Sequence, residues 1–363
     1  MRIGLAAICA VCLCLLSVET LAAPVITTFD VPQAGTGTYE GTLSGGINKS
    51  GTISGDYLDA SLVYHGFLRS SDGTISTFDA PGGGTFSYQG TLAGSINNAG
   101  TIAGYTVDAN NADHGFVRAP DGTITPIDIH GAGTGPNQGT AAISINAGGT
   151  IAGFYIDARH AAHGFVRGPG GGITRFDAAP SGPNQGTLPA SINAGGAIAG
   201  IYLDAGMVYH GFVRAANGAV TMIDAPGAGT TKFQGTFATG INKSGTITGY
   251  YLDANSAYHG FVYDASGNIT SFDAPSAGAG GQQGTLAGTI NDAGKIAGYY
   301  VDAHKVDHGF VRAANGTITR FNVMGAGTIA LTGTTGGGIN NSGVISGTYV
   351  DNKHVSHGYV RMP

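Results

Sequence analysis

Residues 245–274 read GTITGYYLDANSAYHGFVYDASGNITSFDA, and variants of this stretch recur along almost the whole chain. The most regular part is a His-Gly step followed by Phe or Tyr, which occurs seven times at intervals of 47 or 49 residues. An Asp stands six residues before each of these histidines, and an Asn stands eleven residues before each Asp. One period kept over so much of a sequence is typical of a repeat architecture.

Each repeat contains four short runs rich in Thr, Val, Ile, Tyr and Phe, the residues that strands favour. In the fifth repeat these runs are GTFATGI, GTITGYYLD, YHGFVYD and NITSFDA. Dipeptides such as Asp72-Gly73 and Asn217-Gly218 separate the third run from the fourth, and they suit the tight turn of a hairpin. No window of twelve residues after the N-terminal segment has a helical apolar period. We therefore predict an all-β fold, a seven-bladed β-propeller of four-stranded antiparallel blades, with a β-solenoid as the alternative.

The two ends of the repeat region predict how the ring closes. Residues 25–30, VITTFD, match the fourth run of a repeat, whereas the chain ends in HGYVRMP, after a third run. The last repeat is therefore one strand short, and the N-terminal segment carries the missing strand. We predict that this strand completes the last blade, because a closed ring leaves no exposed sheet edge.

The first residues have the features of a signal peptide. Arg2 is followed by the apolar residues 3–16, which are too few to span a membrane, and by the small residues of ETLAAP. We predict a signal peptide over residues 1–23 and a single domain over residues 24–363, in a protein exported from a bacterial cell to the periplasm or the extracellular space. All three cysteines lie in the signal peptide, so the mature chain has no disulfide.

Composition narrows the classes of partner. Charged residues are only 10% of the chain, the formal net charge is −6, and no basic run could supply phosphate contacts. Nucleic acid is therefore not a predicted partner. We expect a monomer without a cofactor, a bound metal or a membrane span.

The repeats resemble the extracellular HAF-repeat proteins, a family named for a His-Ala-Phe motif. Here the motif is mostly His-Gly-Phe, with segments such as GTITGYYLDA before it and GNITSFDAP after it. The resemblance extends over residues 24–363. It implies export and a propeller-like fold, but it transfers no catalytic residue because the family has no general assigned activity.

The recurring Asp and His are interpreted as structural. Each pair flanks a five-residue loop between the second and third strands, so an Asp–imidazole hydrogen bond can fix that loop. A catalytic pair is needed once and not seven times. The pairs are Asp59 and His65, Asp108 and His114, Asp157 and His163, Asp204 and His210, Asp253 and His259, Asp302 and His308, and Asp351 and His357.

The recurring Asn, as in Ile96-Asn97, begins the turn that leaves the inner strand, and we interpret it as a residue whose side chain caps this turn. The alternative is a ring of seven amides around an ion. Neutral amides without carboxylates bind a hard cation weakly, which favours the turn.

Two classes of loop vary between repeats, and a propeller places both on one face. One class joins the second and third strands, and the other joins successive blades. Variation confined to one face is typical of a ligand-binding surface, although tolerated loop drift also produces it. The candidate ligand contacts on this face are Tyr39, Tyr64, Tyr88, Tyr209 and Tyr258.

Glu40 is a further candidate on this face. It opens an inner strand where five other repeats have Gln, and it is the only glutamate outside the predicted signal peptide. At the mouth of the channel it could act as a general acid or base or contact a ligand. The alternative is a solvated edge residue.

These features predict a binding or interaction module that recognises a carbohydrate or another surface protein through the variable loops. The alternative is a carbohydrate-active enzyme, a polysaccharide lyase or hydrolase, with its site at the channel mouth. The sequence contains no nucleophile elbow, and fold analogy alone carries little weight. His160 with His163, or His304 with His308, could chelate zinc, but the spacing indicates no third ligand.

Overall fold

The computed structural model describes residues 24–363, so the predicted signal peptide lies outside the described part. Residues 24–363 form strands joined by turns, and the all-β prediction is confirmed. No helix in this range is long and apolar enough to cross a membrane.

The first strand, β1, is Ile26–Phe29, and the other strands follow in groups that we call units. The first unit is β2 Gly41–Ile47, β3 Ile53–Leu58, β4 Tyr64–Arg69 and β5 Ile75–Phe78. The second is β6 Gly90–Ile96, β7 Ile102–Val107, β8 Asp113–Arg118 and β9 Ile124–Ile127. The third is β10 Gly139–Ile145, β11 Ile151–Ile156, β12 Ala162–Arg167 and β13 Ile173–Phe176. The fourth is β14 Gly186–Ile192, β15 Ile198–Leu203, β16 Tyr209–Arg214 and β17 Val220–Ile223.

The remaining units repeat this order. The fifth is β18 Gly235–Ile241, β19 Ile247–Leu252, β20 Tyr258–Tyr263 and β21 Ile269–Phe272. The sixth is β22 Gly284–Ile290, β23 Ile296–Val301, β24 Asp307–Arg312 and β25 Ile318–Phe321. The last is β26 Gly333–Thr334, β27 Ile345–Val350 and β28 Ser356–Arg361.

Strand pairing closes these units into a propeller-like ring. Strands within a unit pair antiparallel in chain order, and β1 completes the last unit by pairing Ile26 with Arg361 and Phe29 with Gly358. The structure thus places the N-terminal strand where the sequence predicted it. The strand β26 is only two residues long, because glycines 336–338 follow it and glycine weakens a strand.

The apolar core is divided into clusters, each lying between neighbouring units. At the junction of the last and first units, for example, Val31, Ile53 and Phe67 are buried together with Val360. Each unit therefore buries its apolar face against the next, and the closed ring leaves no unit with an uncovered face.

A circle of asparagine side chains joins the units at one end of the inner strands. The Nδ2 of each Asn donates to the backbone carbonyl of the Asn in the next unit at 3.0–3.3 Å, and Asn340 closes the circle onto Asn48. The circle runs Asn48, Asn97, Asn146, Asn193, Asn242, Asn291 and Asn340. Each Oδ1 accepts backbone N–H groups of its own turn, as Asn97 does from Ala99 and Thr101.

A glycine begins each inner strand because the preceding unit lies very close. Gly90 has a φ of 112°, and an added Cβ would sit 2.1 Å from the carbonyl oxygen of Tyr64. Only glycine fits this approach and this φ. The contact brings the loop before Gly90 next to the beginning of β4, and the candidate site is built on that proximity.

Candidate functional site

The two classes of variable loop meet at every junction between units, on a surface that we call the loop face. At the first junction, between the first and second units, the N–H of Tyr88 donates to the carbonyl of Leu62 at 2.7 Å. The same bond joins Asn137 to Asn111, Asn184 to His160, Phe233 to Met207, Gln282 to Ser256, Leu331 to Lys305 and Tyr39 to His354.

All fourteen of these residues are in the left-handed region, with φ between 56° and 67°. Asn tolerates this region best among non-glycine residues, whereas bulky side chains are strained there. Nevertheless Tyr39, Tyr88, Phe233 and Leu331 occupy it, with 63%, 51%, 52% and 74% of their surface exposed. The hydrogen bond fixes the backbone whatever the side chain is. Large apolar groups are thus displayed at positions where Asn would suit the fold better.

The chemistry of the loop face changes around the ring. Between the third and fourth units a cleft of about 300 Å³ has a mainly apolar lining that includes Leu188, and its polar residues include Asn137, His160 and Asn184. At the first junction the exposed side chains are aromatic, and Phe86 beside Tyr88 is 70% exposed. The loop face therefore offers both amide hydrogen-bonding groups and apolar rings.

The predicted tyrosines fall into three places. Tyr64 and Tyr88 lie together at the first junction, with ring centroids 6.5 Å apart, whereas Tyr39 lies against His354. Tyr209 and Tyr258 belong to a separate aromatic cluster in which Phe237 and Tyr250 lie between them. The structure therefore brings the five tyrosines together only in part.

Glu40 forms a hydrogen bond within its own loop. Its carboxylate accepts the N–H of Gly37, just as the Oε1 of Gln138 accepts the N–H of Gly135. In Gln138 the amide nitrogen also donates to the carbonyl of Ala158, a bond that a carboxylate cannot make. This contact favours a structural role for Glu40, and a role as an acid or base stays an untested prediction.

The recurring histidine has two side-chain neighbours, both acidic in six of the seven units, and the sequence indicated one of them. The Nε2 of His65 lies 3.6 Å from Asp59, and across the seven units this distance ranges from 3.2 to 3.8 Å. The shorter bond, at 2.8–3.2 Å, joins Nδ1 to a residue at the end of the fourth strand. These residues are Asp79, Asp128, Asp177, Asp224, Asp273, Asn322 and, for His357, Asp30 from the N-terminal segment.

The recurring Asp that precedes each histidine by six residues mainly stabilises the loop that follows it. Burial opposes ionisation of Asp59, but N–H groups of Val63 and Ser61 and the nearby His65 together keep its pKa below the usual value. The ring of His65 also stacks on Tyr57 at 4.9 Å. Among residues 24–363, no group of three His, Cys, Asp or Glu side chains is arranged to hold a metal ion.

Asp56 is a residue that the sequence interpretation overlooked. It lies in the middle of β3, and at this register the other units have neutral side chains, Tyr105, Phe154, Ile201, Tyr250, Tyr299 and Thr348. Burial raises its pKa to about 8, and neither a hydrogen bond nor a cation offsets the effect of burial. The repeat alignment contained this signal, because GDYLD departs from GYYLD at one position.

Asp56 and Tyr64 lie on the paired strands β3 and β4, where Asp56 is opposite Gly66 and Tyr64 is opposite Leu58. Burial and then the charges of Asp56 and Tyr88 raise the pKa of Tyr64. Burial and the charges of Asp113, Asp56 and Tyr64 likewise raise the pKa of Tyr105. Burial also raises the pKa of Asp113, to about 6.

Two other depressions lie beside an outer strand and at the asparagine circle. A wide one of about 920 Å³ lies beside the outer strand β25 and includes His308, Asn322 and Arg320. The other, of about 210 Å³, lies at the asparagine circle, where each Asn uses its Oδ1 for backbone N–H groups of its own turn. The amide oxygens are therefore already occupied, which favours the turn interpretation over an ion ring.

Comparison with known proteins bears on the fold alone. No protein-family model matches the chain, and no curated protein is significantly similar. Among solved structures, the BP39L lectin from Burkholderia pseudomallei is 10% identical with a TM-score of 0.50, over 76% of this chain and 82% of that one. AofleA from Arthrobotrys oligospora is 15% identical with a TM-score of 0.48, over 82% and 90%. Aleuria aurantia lectin, solved as a mutant with alpha-methyl-L-fucoside, is 12% identical with a TM-score of 0.42, over 84% and 97%.

Proposed function

We propose that this protein is an exported carbohydrate-binding module that holds its ligand on the loop face. The observation that carries the proposal is the set of bulky, exposed side chains at left-handed positions, where Asn would be less strained. Strained backbone positions are concentrated at functional sites because the fold does not otherwise select for them. Exposed aromatic rings with nearby amides suit the apolar face and the hydroxyl groups of a sugar.

The architecture supports this proposal. We infer that the seven units are the blades of a seven-bladed propeller and that the chain belongs with the HAF-repeat proteins, is processed near residue 23 and acts as a monomer. The BP39L lectin has a similar ring-like fold, so this architecture is compatible with a lectin. At 10% identity this likeness says nothing about which sugar the present chain would bind.

The test is a glycan array probed with the mature protein and matched variants. Tyr39→Asn with Tyr88→Asn removes two exposed rings and installs the residue that two other units already have at this position. We expect this double variant to lose array binding while its melting temperature stays the same or rises, because Asn relieves backbone strain.

The control is Lys49→Ala, an exposed residue in a turn at the asparagine circle, where the third unit has Ala147. Array binding that survives in the double variant, or that Lys49→Ala removes, would refute the proposed surface. Incubating the bound polysaccharide with the protein and measuring its chain length tests the alternative, a lyase or hydrolase.

A further inference from the structure

The junction between the third and fourth units differs from the others in the loop that joins the units. Gln185 follows Asp177 by eight positions, whereas Gln138 follows Asp128 by ten, the interval found before every other inner strand. The other four inner-strand glutamines each accept a backbone N–H of their own loop, as Gln138 does from Gly135. The backbone of Gln185 is bonded, but its side-chain amide has no partner among residues 24–363. The shorter loop therefore leaves an amide available on the loop face.

A small side chain at the same junction opens a cleft. Ala162 begins β12 and pairs with Gly186, whereas the third strands of the first, fourth and fifth units begin with tyrosine. At the next junction the ring centroid of Tyr209 lies 4.4 Å from that of Phe237, the residue that corresponds to Leu188 in its own inner strand. The single methyl group of Ala162 cannot cover Leu188 in this way. The cleft of about 300 Å³ results, with Leu188 in its apolar lining.

The polar groups of the cleft are neutral. The amides of Asn137, Asn184 and Gln185 line it, and no Asp, Glu, Lys or Arg of residues 24–363 does. The Oε1 of Gln138 accepts a backbone N–H of its loop, so the Nε2 of Gln138 is a hydrogen-bond donor. The Nε2 of His160, 3.2 Å from that donor, must therefore accept, which leaves the proton of a neutral ring on Nδ1. The cleft thus offers amides, one imidazole N–H and an apolar lining without charge.

The size and the lining of the cleft indicate its ligand. Its volume is at the lower end for small-molecule sites and suits one sugar ring, not an extended chain. An unmodified hexose has hydroxyl groups on nearly every carbon, and those turned toward Leu188 would lose hydrogen bonds to water. An acetamido group instead brings a methyl for the apolar lining, and a carbonyl and an N–H for the amides of Asn184 and Gln185. A charged sugar would find no opposite charge there.

We propose that the cleft between the third and fourth units binds one N-acetylhexosamine residue, with its acetyl methyl against Leu188 and its amide bonded by Asn184 and Gln185. This assignment rests on the proposed carbohydrate-binding function and adds a site that is separate from the exposed rings of Tyr39 and Tyr88. A single sugar ring makes few contacts, so we expect a dissociation constant on the order of 1 mM. Such binding is too weak to survive the washing of an array.

The test measures dissociation constants by ligand-observed NMR titration for the methyl β-glycosides of N-acetylglucosamine, glucose and 6-deoxyglucose. We expect the N-acetylglucosamine glycoside to bind about tenfold more tightly than the glucose glycoside, because it adds a buried methyl and an amide. Ala162→Tyr installs the residue of the fourth and fifth units and should weaken this binding about tenfold or more, without lowering the melting temperature. Ser356→Tyr is the matched control, because it adds the same ring at the start of the last third strand and should leave the affinity unchanged.

A second pair of variants tests the amide. Asn184 has a φ of 58°, and Asn184→Gly removes the amide while keeping a residue that suits this φ. We expect the N-acetylglucosamine glycoside to bind this variant about threefold more weakly or worse, since one hydrogen bond is lost. Asn217→Gly is the control, because Asn217 lies in a turn between a third and a fourth strand where the third unit has Gly170.

Equal affinity for the N-acetylglucosamine and glucose glycosides would overturn the assignment, and so would unchanged affinity in a folded Ala162→Tyr protein. Unchanged affinity in Asn184→Gly would overturn it whether or not Ala162→Tyr folds. Binding of the 6-deoxyglucose glycoside as tight as that of the N-acetylglucosamine glycoside would show that a methyl alone suffices, which also contradicts it.

The variant with Tyr39→Asn and Tyr88→Asn separates this site from the proposed surface of exposed rings. It should bind the N-acetylglucosamine glycoside as the natural protein does, and a loss there would overturn the cleft assignment because the sugar would then lie on the rings. If array binding fails while this glycoside still binds the cleft, only the ring surface is refuted. An absence of binding in both experiments would remove the proposed function and the cleft assignment together.

Discussion

Removing the N-terminal strand should strongly destabilise the ring, because this strand is the fourth strand of the last unit. A chain that begins at Gln33 loses Val31, which is 2% exposed, together with the partly buried Ile26 and Phe29. Full burial of such side chains is worth about 1.5–3 kcal/mol each, so the fully buried Val31 together with the two partly buried side chains gives a total of about 3–6 kcal/mol. Since a typical domain is stable by about 5–15 kcal/mol, this loss is a large share.

Other contacts of the strand add to this loss. The ring of Phe29 lies 6.0 Å from that of Phe67, edge to face, and the guanidinium of Arg69 lies 4.9 Å from its centroid. Asp30 accepts the Nδ1–H of His357 at 2.9 Å, so the shortened chain also leaves the last histidine without its closest partner. The exposed edge of β28 can then pair with another chain.

The assay compares thermal unfolding and light-scattering mass of chains that begin at Ala23 and at Gln33. We expect the chain from Gln33 to melt markedly lower or to aggregate, whereas the chain from Ala23 should be a stable monomer. A full-length variant with Ile26→Ser and Phe29→Ser should fall between them. If the two chains melt at the same temperature as monomers, β1 does not close the ring and the reasoning from strand pairing is wrong.

Three further predictions concern single residues. His259→Ala should reduce the free energy of unfolding by about 1–2 kcal/mol in urea titrations, because Asp273 loses a partner at 3.1 Å. Glycan binding should be retained, and loss of binding at unchanged stability would contradict the structural role of His259. Glu40→Gln should be neutral or stabilising by about 1 kcal/mol, because the new amide can donate to the Ala60 carbonyl, as Gln138 does to Ala158. A large loss of any demonstrated activity would instead indicate that Glu40 is a functional group. Burial raises the pKa of Asp56 to about 8 in the folded protein, whereas in the unfolded chain this group loses its proton near pH 4. Between these values only the folded state keeps the proton, so the stability of the protein falls as pH rises from about 4 to 8. Asp56→Asn should therefore gain melting temperature relative to the natural protein as pH rises from 5 to 9, with Asp121→Asn as the control, and a difference that does not change with pH would contradict the burial of this carboxyl.

The strands were predictable because they depend on local composition and period. In the fifth unit the predicted run GTFATGI coincides with β18, and the other three runs contain β19, β20 and β21. The pairing of residues 25–30 with the last unit followed from counting strands at the two ends. The meeting of the two variable loop classes followed from propeller geometry, and the bond from Tyr88 to Leu62 shows how they meet.

The side-chain partners were less predictable because they depend on distances across strands. Asp79 is fourteen residues from His65 and binds it more closely than Asp59, which is six residues away. Six of the seven bonds from an Asn to the next unit join residues 47 or 49 apart, and the seventh joins Asn340 to Asn48, distances that no local pattern reports.

The interpretation of the acidic residues considered the loops and did not compare the strand registers. Glu40 stood out as a rare residue type, yet its carboxylate bonds its own loop. Asp56 stood out only within the strand register, where the other repeats have a neutral residue, and its burial required the fold to be known.

The claim that the loop face binds glycan is tested most directly by hydrogen–deuterium exchange with and without the glycan selected on the array. Binding there should slow exchange of the amides in residues 61–64 and 86–90, which meet at the first junction, and leave the turns at residues 48–52 and 97–101 unchanged. Slowed exchange at the asparagine turns with no change at the first junction would contradict the account.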